Sequence, residues 1–180
     1  RLASKGVTLR STQEAIDDTP TGKLMQNIAM SMHQFDNDLK SRLVRDNMKT
    51  TALEGWWTTI PPVGMKIEKH YTGSLNASGK KKYHAALASD ETNNLGEEIA
   101  NIIWKYHEGM SVADLVRYAE KRNIRDKKSK LLNHNAITRI VVQPAYGGYI
   151  RSSLTDGELV KAKWDGIVPI DVILDNIKRQ

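Results

Sequence analysis

Between Pro20 and Gly55 a single apolar stripe runs through the chain: Leu24, Ile28, Met32, Phe35, Leu39 and Leu43 recur at steps of four, four, three, four and four. Residues three and four apart share one face of an α-helix, and Met48 and Ala52 roughly continue the pattern. Pro20 suits the first helical turn, where its fixed φ fits and its missing N–H has no partner to lose. Gly55 is a C-terminal stop. About 30 residues rising 1.5 Å each give a rod of roughly 45 Å, longer than a domain of this size needs for its own core. Such a rod bridges two bodies, pairs with a copy of itself, or lies across its own domain. Its most prominent apolar residues, Met32, Phe35 and Leu39, are the candidate self-association surface, expected to make a homodimer.

Charge and residue usage narrow the classes. Lys and Arg number 27 against 21 Asp and Glu, a net charge of +6, which is compatible with an anionic partner. Without cysteine the chain can hold no disulfide, iron–sulfur cluster or cysteine-ligated zinc. The histidines His33, His70, His84, His107 and His134 never fall at i, i+3 or i, i+4, so no metal site is expected. No cofactor is expected either. No apolar run reaches the length of a membrane span, and Arg1-Leu2-Ala3-Ser4-Lys5 lacks a signal peptide's apolar region. A soluble, cytoplasmic protein follows as the expectation. The chain starts without methionine, directly in structured-looking sequence, as a fragment does.

Gly6-Val7-Thr8-Leu9-Arg10 reads as a short strand and Ser11–Thr21 as a loop leading into the helix. After the helix, Trp56 and Trp57 anchor an extended segment that Pro61 and Pro62 keep from being helical. Residues 72–82 read as a mobile loop ending in Lys80, Lys81 and Lys82, which either touch phosphates or are simply solvated. His84–Ala88 is too short to classify, and Asp90–Asn94 reads as a turn. Three helices are then expected: Leu95–Glu108, stopped by Gly109; one capped by Ser111 and running to about Lys121; and His134–Val142, capped by Asn133 and closed by Pro144. Tyr146–Arg151 and Glu158–Trp164 read as strands joined through Asp156-Gly157, and Val172, Ile173 and Ile177 mark a final helix. Trp104 and Trp164 are assigned to the core, and Tyr146 and Tyr149 to packing. The expected class is α+β, mainly α: a long helix joined to a helix-turn-helix-like body with a small β-hairpin, similar to a winged helix.

Charge is concentrated in that body. From Arg117 to Arg151 the cations are Arg117, Lys121, Arg122, Arg125, Lys127, Lys128, Lys130, Arg139 and Arg151, while the acids are Glu120 and Asp126 alone. The helix that follows Asn133 offers His134, Asn135, Thr138 and Arg139 at its polar head. Amides pair with adenine and arginine with guanine in the major groove, while neighbouring cations hold phosphates. These residues are the candidate interface for double-stranded DNA, with Asn133 left as the cap. No phosphate-binding glycine loop, nucleophile with recognisable flanks or two-metal acidic cluster stands out, and the paired acids Asp17-Asp18 and Asp36/Asp38 read as solvated.

These stretches carry a resemblance. Gly6-Val7 to Arg10, Asp18-Thr19-Pro20-Thr21-Gly22-Lys23-Leu24-Met25 and His33-Gln34-Phe35-Asp36-Asn37-Asp38-Leu39 resemble the end of a serine recombinase catalytic domain, of the resolvase/invertase type. Gly55-Trp56-Trp57 with Pro61-Pro62-Val63-Gly64-Met65, then Glu108-Gly109-Met110-Ser111, Ala136-Ile137-Thr138-Arg139-Ile140, Gln143-Pro144-Ala145-Tyr146-Gly147-Gly148 and Asp165-Gly166-Ile167-Val168, are similar to the "recombinase" DNA-binding domain of the large serine recombinases. The resemblance implies that residues 1–54 end a catalytic domain and 55–180 form the DNA-binding domain. It further implies a serine attack on a DNA phosphodiester, a covalent phosphoserine link and a tetramer of subunits at synapsis. None of Ser4, Ser11, Ser31 or Ser41 matches the family's nucleophile, so no catalytic residue is assigned and the chain is expected to bind DNA without cutting it. Where the family carries Glu-Arg-Thr after a serine, Ser41 is followed by Arg42-Leu43-Val44: Arg42 serves from one position earlier, or the role is lost. The cysteine-ligated zinc ribbon that commonly follows this domain in the family is absent from the sequence: either the chain is cut before it, or this branch lacks it.

Two other readings stay open on the residues alone. One is a stand-alone winged-helix transcription regulator dimerising through the long helix; the other is a basic protein-interaction module.

Overall fold

A computed structural model of the chain describes residues 19–76, 78–127 and 129–180. The expected strand at 6–10, the pair Asp17-Asp18 and the candidate contact Lys128 lie outside the described residues. The architecture is α+β and mainly helical, in two compact units, one ending at Asp46 and the other Asn47–Gln180.

Helix α1, Pro20–Leu53, runs through the first unit, and its last residues belong to the second. The Thr19 hydroxyl oxygen caps it by accepting from the Gly22 N–H at 3.1 Å. The apolar stripe is real and exposed among the described residues: Leu24, Ile28, Met32, Phe35, Leu39 and Leu43 are 42–65% exposed. No helix of the described residues is long and apolar enough to cross a membrane.

In the second unit α1 ends where its geometry is fixed by neighbours. Ala52 is buried. The Lys49 ammonium meets an Asp156 carboxylate oxygen at 2.7 Å. Gly55, at φ +86°, turns the chain where a Cβ would lie only 2.7 Å from the Lys161 carbonyl oxygen, and its own carbonyl accepts from the Lys163 N–H. The extended segment that follows leads into an antiparallel ribbon of β1, Met65–Leu75, and β2, Lys81–Ser89, with Tyr71 opposite Tyr83 and His70 opposite His84. This corrects the expected mobile loop at 72–82 and classifies 84–88. Only the base of the ribbon is buried, so its apolar run is confined to Ala85-Ala86-Leu87-Ala88 at the end of β2.

The helices follow the expected order. In α2, Leu95–His107, the residues Ile99, Ile102, Ile103 and Tyr106 face the core. Trp104, assigned to the core from sequence, is 39% exposed, because at 100° per residue it falls off that stripe; it rests edge-on against His107. Helix α3, Val112–Lys121, starts at Ser111, whose hydroxyl oxygen accepts from the Asp114 N–H at 3.2 Å and donates to its carboxylate at 2.7 Å. Helix α4, His134–Val141, starts at Asn133, whose side-chain oxygen accepts from the Ala136 N–H at 2.9 Å. Ile137, Ile140 and Val141 pack inward against α2 and α3.

Residues 144–147 form a 3-10 turn, so Tyr146 and Gly147 are not part of the strand expected from Tyr146 onward. The trailing hairpin shrinks to β3, Tyr149–Ile150, and β4, Val160–Lys161, with a second 3-10 turn between them. Asp156 and Gly157 both take positive φ at the turn expected there. Helix α5, Ile170–Arg179, closes the body. Its buried Asn176 amide donates to the Val141 carbonyl at 3.1 Å, joining α5 to α4. Trp164 is in the core as expected, its indole N–H donating to the Ala145 carbonyl at 3.1 Å.

Candidate nucleic-acid interface

The polar head of α4 is where the candidate residues converge. Because Ile137, Ile140 and Val141 occupy the buried face, His134, Asn135 and Arg139 are left on the exposed one. Asn133 is committed to its cap. Thr138 is half-buried and its hydroxyl donates back to the His134 carbonyl at 2.8 Å, so that donor is already used. His134 Nε2, the Asn135 amide and the Arg139 guanidinium have no hydrogen-bond or ion-pair partner among the described residues.

Around this head the cations divide into two groups. Arg117 pairs with Asp114 at 2.8 Å, and Arg122 forms a two-point contact with Glu98. Arg125 holds the α3–α4 connection, donating to Asn123 at 3.0 Å and to the Ser129 carbonyl at 2.7 Å. Arg151 donates to the Gly157 carbonyl at 2.9 Å and shapes the loop before β4. Lys127 turns its ammonium onto the Met65 carbonyl at 3.0 Å; burial there holds it below its ordinary pKa, opposed by the nearby Asp90 carboxylate. The ammonium groups of Lys121 and Lys130, like the Arg139 guanidinium, are exposed and without a partner among the described residues. The concentrated charge seen in sequence therefore does two jobs: part of it stitches loops, and a smaller part is free.

The connection from α3 to α4 runs from Arg122 to Asn133, longer than the roughly three- or four-residue turn of a helix-turn-helix. Buried Ile124 and Leu132 anchor its two ends, and an Arg125–Leu131 bridge closes it into a compact loop. Arg139 and Arg151 both line a groove of about 480 Å³ between α4, the Trp57–Val63 segment and the Ser152–Leu154 turn. Trp57 and Ile60 supply its apolar wall. Sequence reading missed this groove, whose parts lie far apart along the chain. It also missed the ribbon, whose lysines Lys66, Lys69, Lys81 and Lys82 lie on strands. The signal for the ribbon was the alternation Met65, Ile67 and Tyr71, broken at Lys69 and followed by glycine and small polar residues.

No curated protein and no solved structure matches this chain. Residues 93–172, which hold α2, α3, α4, the trailing hairpin and the start of α5, match the protein-family model described as Recombinase, a match that supports a site-specific recombinase.

Proposed function

We propose that this chain is the DNA-holding part of a serine-type site-specific recombinase. The head of α4 enters the major groove, with Asn135 and Arg139 reading base edges and Lys121 and Lys130 holding phosphates. The observation that carries this reading is the exposure of His134, Asn135 and Arg139, with the Asn135 amide and the Arg139 guanidinium unpartnered among the described residues, on a segment that matches the Recombinase model. Arg151 and Lys127 act at second hand, by shaping the loops beside the helix.

The covalent phosphoserine step belongs to the resemblance, which assigns the nucleophile to none of Ser4, Ser11, Ser31 and Ser41. This chain therefore grips duplex DNA without cutting it. The exposed stripe Met32, Phe35 and Leu39 on α1 is read as the surface that joins two copies, because a contiguous apolar face marks an interaction site.

Selection of bound duplexes from a random pool tests the base-reading part. A recurring site is expected, and Asn135→Ala or Arg139→Ala should relax preference at individual positions by about 1–3 kcal/mol each. Recovery of unselected sequence by the unaltered chain would reject base reading by α4.

A further inference from the structure

The β1–β2 ribbon lies at residues 65–89, ahead of the segment that matches the Recombinase model, so the family match says nothing about what the ribbon does. Its base is firmly held. Met65 and Leu87 are buried, the Trp57 N–H donates to the Ala85 carbonyl at 2.7 Å, and the Trp56 ring stacks on His84 at 5.0 Å and 12°. Beyond that base Tyr71, Leu75 and Tyr83 are 48–60% exposed. A two-stranded ribbon has no core of its own and is marginal in water without something to pack against.

The tip is nevertheless well built. The Asn76 side-chain oxygen accepts from the N–H groups of Ser78 at 3.1 Å and Lys80 at 2.9 Å, and the Asn76 N–H donates to the Lys80 carbonyl at 2.8 Å. This turn presents Lys80, Lys81 and Lys82 in succession. Between Met65 and Ser89 the lysines are Lys66, Lys69, Lys80, Lys81 and Lys82, and Glu68 is the one acid. The side chains of Lys69, Lys80 and Lys82 have no acid partner among the described residues, and Lys81 lies over the Tyr71 ring at 5.5 Å. Tyr71 and Tyr83 stand side by side on that same face, their ring centres 5.9 Å apart. Like charges held this close repel, and a polyanion relieves that repulsion. A two-stranded ribbon also matches the width of a B-DNA major groove. Finally, the Lys127 ammonium bonds the Met65 carbonyl, so the base of the ribbon is joined directly to the basic loop ahead of α4.

We infer that the β1–β2 ribbon is a second duplex-DNA contact, separate from α4, with Lys80, Lys81 and Lys82 on the phosphates and the Tyr71/Tyr83 face turned to the duplex. This rests on the proposed grip of the chain on DNA. Two measurements test it. In the first, the chain carrying Lys80→Ala, Lys81→Ala and Lys82→Ala is titrated with a random-sequence duplex over a series of salt concentrations. The plot of log K against log salt should become shallower by about 2 to 3, near 0.9 for each phosphate no longer neutralised. In the second, Ser78→Cys carries an iron-chelate DNA-cleaving probe, placed uniquely because the chain has no other cysteine. Cleavage confined to one short duplex segment per bound molecule is expected. A wild-type slope for the triple variant, or an uncut duplex under the tethered probe, overturns the ribbon contact while the role of α4 stands. Failure of the unaltered chain to bind duplex removes both. A triple variant that binds duplex normally but loses affinity for a polyglutamate peptide assigns the tip to an acidic protein and also overturns the inference.

Discussion

Arg122 and Glu98 are locked together by two hydrogen bonds, Nη2 to Oε1 at 2.6 Å and Nε to Oε2 at 3.2 Å, and the Tyr118 hydroxyl donates to the same carboxylate at 3.3 Å. Burial, with Glu98 beside it, pushes the Tyr118 phenol above its ordinary pKa. The guanidinium also lies over the Tyr118 ring, so Arg122 ties α2 to the end of α3. An arginine committed in this way contributes little to phosphate binding, whereas the Lys130 ammonium, exposed and without a partner among the described residues, is free to do so. Lys130→Ala should make the salt slope of duplex binding shallower by about 0.9, the value for one phosphate, and Arg122→Ala by clearly less. Equal changes from the two variants would contradict this division of the basic residues.

Tyr146 ties the body to the segment after α1. It is buried, and its hydroxyl donates to the Val63 carbonyl at 2.8 Å. Tyr146→Phe strands that carbonyl and should cost about 1–2 kcal/mol, read from denaturant unfolding. Burial alone raises its phenol above the ordinary value near 10. A proton held more tightly in the fold than in the unfolded chain stabilises fully below the unfolded pKa, and that contribution is lost as pH rises through the folded one. Stability should therefore fall above about pH 10, and the Phe variant should fall less steeply over the same range. Parallel pH profiles for the two proteins would show that Tyr146 does not take part.

Gly166 shows why two distant glycine motifs occur together. A Cβ there would sit 2.5 Å from the Gly147 carbonyl carbon and 2.6 Å from the Tyr146 oxygen, both backbone atoms that cannot swing aside. The Asp165-Gly166 turn thus lies directly on the Tyr146-Gly147-Gly148 turn, and the Val168 N–H donates to the Tyr146 carbonyl. Gly166→Ala should destabilise by about 1–3 kcal/mol or more through forced backbone shifts. A thermal midpoint equal to that of the unaltered chain would mean the two turns can separate freely.

The α1 stripe gives a prediction in the first unit alone. Phe35 is 64% exposed and Met32 65%. Phe35→Glu should shift sedimentation towards the monomer at concentrations where the unaltered chain self-associates. A chain that stays monomeric at high concentration would remove the homodimer.

Helices were the legible part of the fold, for physical reasons. Their stripes report burial through the 3.6-residue period, and Ser111, Asn133 and Gly109 act locally, as caps and stop, without help from the rest of the molecule. The ribbon was not legible, because β1 is exposed on both faces over most of its length and carries no sustained alternation tied to a core. Tyr146 and Gly147 were misread as strand because the turn that holds them depends on the Tyr146 bond to Val63 and the Trp164 bond to Ala145, neither of which is local. At the candidate interface, sequence located α4's polar head and the charge around it. It could not separate free cations from structural ones, since Arg122's partner Glu98 and Lys127's partner Met65 lie on other elements.

The most direct test is duplex binding by the unaltered chain as salt is raised. Expected is a linear fall of log K with log salt at a slope of about −4 to −6, as five to seven phosphates are neutralised. A flat dependence, or no binding to duplex at low salt, would contradict the assignment of this body to DNA.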